Sequence, residues 1–114
     1  MKILDIKKLL KGDILNDFKD DIDYKYAFAG DLMSDALSMI KDYNDQLILV
    51  TGLCNNQILH TANMLDINLI ILVRNKHNQL NQLDYHDSNV TILVTTFTMF
   101  ETCGLLYSNS IRGI

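Results

Sequence analysis

The sequence predicts an α/β fold: a small single-domain sandwich with a mostly parallel sheet of three to five strands, flanked by helices on both faces. Three observations predict it. The runs LILVT (Leu47 to Thr51), LIILV (Leu69 to Val73) and TILVT (Thr91 to Thr95) are apolar almost without alternation, as strands buried on both faces are. Each is followed by a helical pattern, the signature of right-handed crossovers between parallel strands. And 114 residues leave room for one core and no second domain, so residues 1–114 are read as one unit.

The elements follow in order. Ile3, Ile6, Leu9 and Leu10 recur at helical spacing with lysines opposite, predicting a first helix over Leu4 to Lys11. It is expected to stop at Gly12 in a left-handed cap. Ile14 and Leu15 suit a very short strand. The acidic run Asp17 to Asp23 reads as a solvated turn. Tyr24 to Gly30 alternates aromatic and small residues, as a half-exposed strand does. Ser34 is placed to cap a helix over Asp35 to Lys41, with Leu37 and Ile40 inward. After the first buried run, Ile58, Ala62 and Leu65 share a face of a helix over Gln57 to Asp66. After the second comes a weak, Asn- and Gln-rich helical stretch, Asn78 to Leu83. After the third, Thr98 and Glu101 form a T-x-x-E capping box that opens a helix over Met99 to Tyr107. Its Met99, Cys103 and Leu106 form a stripe, with Cys103 read as a small core residue.

Composition narrows function. Ten basic against fourteen acidic residues give a net charge of −4, a poor match for a nucleic-acid backbone or an anionic membrane. No apolar run approaches the roughly 20 residues of a membrane helix. Two cysteines and no secretory segment point to a reducing, cytoplasmic setting. Neither G-x-x-x-x-G-K-[ST] nor G-x-G-x-x-G occurs among the scattered glycines. His60, His77 and His86 lack zincin spacing and the cysteines form no C-x-x-C, so neither metal nor cofactor is expected.

In open α/β sheets, ligands sit outside the carboxyl ends of the strands, near helix N-termini. Four loops should gather there, which makes Asp31 and Ser34, then Thr51, Gly52, Cys54, Asn55 and Asn56, then Arg74 and Lys76, and finally Thr98 the candidate ligand-binding residues. Gly52 would permit close backbone approach, Asn55 or Asn56 would cap the next helix, and Arg74 and Lys76 would supply positive charge for an anion. The same residues also fit plain turns, caps and solvated cations. Cys54 lies at a predicted helix start, where the dipole favours a thiolate. Asp31 and Asp35, one helical turn apart, are the first carboxylate pair to consider.

The segments FAGDLMSDALSMI (Phe28 to Ile40), LILVTGLCNNQILHTANMLDINLIILVRNK (Leu47 to Lys76) and TTFTMFETCGLLYSNSI (Thr95 to Ile111), with the opening Leu-Lys-Gly helix end, together resemble the DRTGG domain family. The resemblance spans nearly the whole chain. The family's Asp-Arg aligns with Leu53-Cys54 and its Thr-Gly-Gly with Val73-Arg74-Asn75, so none of its five name-giving letters is retained. Such domains are similar to the N-terminal domain of HPr kinase/phosphorylase and to the middle region of bacterial phosphotransacetylases. They also occur as short bacterial proteins. The resemblance implies a small α/β sandwich that pairs as a homodimer and serves as a sensory, regulatory or assembly module without established catalysis. Three functions follow as expectations: a non-enzymatic regulatory domain binding a small anionic metabolite, an accessory subunit acting on a partner enzyme through protein contacts, and a small enzyme using Cys54 or Asp31. As the module is expected to make up the whole chain, any chemistry is expected to belong to a partner, and a serine kinase activity is doubtful without a phosphate loop.

Overall fold

A computed structural model describes residues 1–30, 40, 43–75, 83–85 and 88–114. The three apolar runs form the centre of a sheet: β3 (Leu47–Thr51), β4 (Leu69–Leu72) and β5 (Thr91–Val94), each buried at every position. They pair in parallel, Ile48 opposite Leu69 and Leu69 opposite Thr91. The half-exposed strand β2 (Tyr26–Ala29) joins parallel to β3. Two edge strands of two residues complete a six-stranded sheet in the order β1-β5-β4-β3-β2-β6, with β1 (Asp13–Ile14) antiparallel to β5 and β6 (Arg112–Gly113) parallel to β2. The expected three to five strands thus become six. Strand β1 lies one residue before the predicted pair, whereas β6 carries no periodicity to read, because two exposed residues cannot display one.

Strand alternation divides the core into two layers. Leu47, Leu49, Ile70, Leu72, Ile92 and Val94 meet Ile58, Leu59 and Ala62 of helix α2 (Asn56–Met64), together with Ile40 and Leu83. Ile48, Val50, Leu69, Ile71 and Leu93 meet Ile3, Ile6 and Leu10 from the end of helix α1 (Ile3–Leu9), and Leu106 of helix α3 (Met99–Ser108). From β2 to β5 the sheet grows in one direction; after β5 the chain returns across it to β6. A right-handed crossover running the opposite way must use the opposite face, and this is why α2 and α3 lie on different sides. The helices expected over Asp35 to Lys41 and Asn78 to Leu83 fall largely outside the described residues.

The left-handed residue at the end of α1 is Lys11 (φ 48°), and Gly12 does not have a positive φ. Gly12 N–H donates to Lys7 O at 3.0 Å and Lys11 N–H to Lys8 O at 3.4 Å, the two bonds of a Schellman cap. Glycine is needed at 12 for closeness: a Cβ there would stand 2.7 Å from both Leu93 Cδ2 and Val94 O. Helices α2 and α3 end in the same way, with Asp66 (φ 56°) and Ser110 (φ 74°) left-handed and buried Ile67 and Ile111 following.

Asn16 holds the first edge where the ladder ends. Its Nδ2 donates to Val90 O at 2.8 Å and Tyr85 O at 3.2 Å, and its Oδ1 accepts from Ile92 N–H at 2.8 Å.

Two substitutions separate closeness from conformation. Gly12→Ala should cost about 1–3 kcal/mol, because the facing atoms belong to a packed strand. Ser110→Gly should add about 0.4–1 kcal/mol by relieving a left-handed serine. Urea denaturation measures both; equal effects of one sign would refute this reading.

Candidate functional site

The parallel register brings the loops after β3, β4 and β5 to one edge, as expected from the sequence. Their polar groups are largely engaged in building that edge. The buried Thr51 hydroxyl accepts from Leu53 N–H at 3.1 Å, while Thr51 O accepts from Val73 N–H at 3.0 Å. Gly52 is exposed and does not have a positive φ. Asn55 is the cap of α2: its Oδ1 accepts from Ile58 N–H at 3.1 Å. Asn56 does something different, its Oδ1 accepting from Asp84 N–H at 2.9 Å and so tying α2 to residues 83–85.

The third loop is stitched to the fourth. Arg74 takes a left-handed conformation (φ 51°) and its N–H donates to Phe97 O at 2.8 Å, with Asn75 N–H donating to Thr95 O at 3.0 Å. The buried Thr95 hydroxyl donates to Leu10 O at 2.8 Å and accepts from Phe97 N–H at 3.2 Å. Thr98 and Glu101 make the predicted capping box, with bonds of 3.1 and 3.0 Å. The hydrogen bonds from Thr98 hold the Glu101 carboxyl below its ordinary range. What is left for a ligand here is the first-turn N–H groups of Asn56 and Gln57 in α2, ahead of the capped Ile58, and the exposed Arg74 guanidinium, which has no hydrogen-bond or ion-pair partner among the described residues. Asp31, Ser34 and Lys76 lie outside the described residues, as do Asp35, His77 and His86.

Burial pushes the Cys54 thiol up from its ordinary value, opposite to the direction expected at a helix start. Cys103, half-buried beside the second core layer, is pushed up for the same reason. Among the described residues no three His, Cys, Asp or Glu side chains cluster to hold a metal, and no helix is long and apolar enough to cross a membrane.

Two features lay beyond the sequence reading. Thr102, on α3, is fully buried, and its hydroxyl has no hydrogen-bond partner among the described residues. Its place in the helix gives no signal, because Met99, Cys103 and Leu106 form the apolar stripe and a threonine beside them is polar. The second is a cleft of about 560 Å³ at the opposite, amino-terminal edge of the sheet, lined in part by the Asp17 to Asp23 segment. The rule that ligands sit at carboxyl edges directs attention away from it.

A buried, unpaired hydroxyl carries a desolvation cost that a methyl group of equal size does not. Thr102→Val should therefore raise stability by about 1 kcal/mol in urea denaturation; a loss instead would mean that the hydroxyl is satisfied. Cys54 should alkylate more slowly at neutral pH than an unhindered thiol, its rate rising only above the usual thiol range. Fast labelling at pH 7 by iodoacetamide would contradict that.

No known protein-family model matches this chain, and no curated protein matches it.

Proposed function

We propose that this chain is a non-enzymatic regulatory or interaction domain, related to the DRTGG family, that binds a small anionic metabolite at the carboxyl edge of its sheet and acts as a homodimer. The observation that carries the reading is Arg74. A guanidinium with no hydrogen-bond or ion-pair partner among the described residues stands just after β4, one strand from the N-terminus of α2. A helix N-terminus offers unspent N–H donors and a positive dipole end, and a nearby guanidinium adds planar donors for a phosphate or carboxylate. The domain is bacterial and cytoplasmic on this reading, and its membership in the family rests on the motifs quoted above. The raised Cys54 thiol supports a binding role over a nucleophilic one.

A second reading, the accessory subunit, is favoured by a different observation. Phe100 and Tyr107 of α3 are 87% and 64% exposed, large apolar surface for one short helix. Beside them a shallow cavity of about 230 Å³ opens between α3 and strands β2 and β6, and the Arg112 guanidinium caps the Tyr107 ring at 4.6 Å. A surface of this kind suits protein contact.

Thermal shift with inorganic phosphate, acetyl phosphate and nucleoside phosphates tests the first reading. A true ligand at 100 times its Kd adds about 2.7 kcal/mol of stability. Arg74→Asn, chosen because asparagine tolerates the left-handed conformation, should abolish the shift. No shift with any anion, or one unchanged in the variant, would overturn anion binding at this edge. Sedimentation separates the homodimer from a monomer.

A further inference from the structure

The cleft at the amino-terminal edge differs chemically from the loops across the sheet. It lies where the chain enters β2, β4 and β5 and where α2 ends, and its volume of about 560 Å³ is within the range of small-molecule sites. Four asparagines elsewhere, Asn16, Asn55, Asn56 and Asn109, each bond to the backbone through the carboxamide. Asn63, Asn68 and Asn89 all line the cleft, and their carboxamides bond to no other described residue. Phe18, 43% exposed, stands at the same cleft.

Charge decides which ligand fits. Asp17 and Asp66 oppose a single Lys19 in the lining, and the negative dipole end of α2 is close by at Asp66. An anion is therefore disfavoured. A cation finds a net charge of only −1 among these three side chains, and the last-turn carbonyls of Thr61, Ala62 and Asn63 already accept from Leu65, Ile67 and Asp66. What remains is a neutral ligand. Each carboxamide offers both a donor and an acceptor, the two functions that a hydroxyl group needs, and carboxylates accept from hydroxyls. An exposed aromatic ring provides a platform for the face of a flat or puckered ring. Tyr24 also lines the cleft, and its phenol, like any tyrosine at neutral pH, carries no charge.

We propose that this cleft binds an uncharged, hydroxyl-bearing ring of monosaccharide or nucleoside size. The recognised chemistry is adjacent hydroxyls held by carboxamides against Phe18. The site is separate from the anion-binding edge and does not depend on it.

The test is a titration of ¹⁵N-labelled protein with D-ribose, methyl glucoside and uridine, with inorganic phosphate and putrescine as charged comparisons. Saturable amide shifts confined to residues 17–24, 63–68 and 88–91 are expected with a neutral probe. A response to ribose or the glucoside marks a sugar site, and a response to uridine alone marks a nucleoside site. Phe18→Ala should raise the Kd about three- to tenfold, the value of one aromatic contact. Asn63→Ala, at an exposed position, should also weaken binding while leaving the remaining spectrum in place. Absence of saturable shifts from all three neutral probes overturns the proposal, as does stronger binding of phosphate or putrescine in the cleft. So does binding that neither variant weakens.

Discussion

Three adjacent strands without an exposed residue, β3, β4 and β5, are the constraint on which the other elements depend. A strand apolar on both sides can be stable only if both faces of the sheet are covered, and parallel neighbours can be joined only by crossovers. The single return crossover to β6 carries α3 to the face already held by α1, so one helix at each end of the chain closes that layer. Gly12 then sets how tightly α1 is joined to the sheet, since its missing side chain is what lets the chain touch β5.

The two edges of the sheet use similar residues for different ends. At the carboxyl edge, Thr51, Asn55, Thr95 and Thr98 bond to the backbone and shape the turns, leaving a charged side chain as the main available group. At the amino edge the carboxamides of Asn63, Asn68 and Asn89 bond to no other described residue, while the backbone is held by Asn16 and by Thr91, whose hydroxyl donates to Asp17 O at 2.8 Å. One edge is shaped by side-chain-to-backbone hydrogen bonds and offers positive charge. Its counterpart is polar and carries a slight excess of negative charge.

Much of this was legible in the sequence because burial leaves a compositional trace. LILVT, LIILV and TILVT have no polar face, and T-x-x-E names both partners of a cap whose geometry is purely local. What escaped depends on pairs distant in sequence. Nothing near Gly12 announces Leu93, and nothing in Asn16 announces three bonds to residues more than sixty positions away. The left-handed turns at Lys11, Asp66 and Ser110 escaped because glycine is the residue one looks for there, and the chain uses it at none of them. For the candidate site the sequence located the carboxyl-edge loops but could not tell a capping asparagine from one that ties the helix to a distant loop; Asn55 and Asn56 have different tasks despite adjacent positions.

The short outer strands have a consequence for how these molecules meet one another. A sheet can be extended by another chain only through its unpaired outer backbone, and a long, flat border is what makes such growth dangerous. Here each border is a strand of two residues, one of them antiparallel to its neighbour and braced by a side chain that continues the ladder without offering backbone. An incoming strand would find room for one or two bonds before the border ended. The sheet thus limits its own width, and its highly apolar centre is reached through no long unpaired border among the described residues.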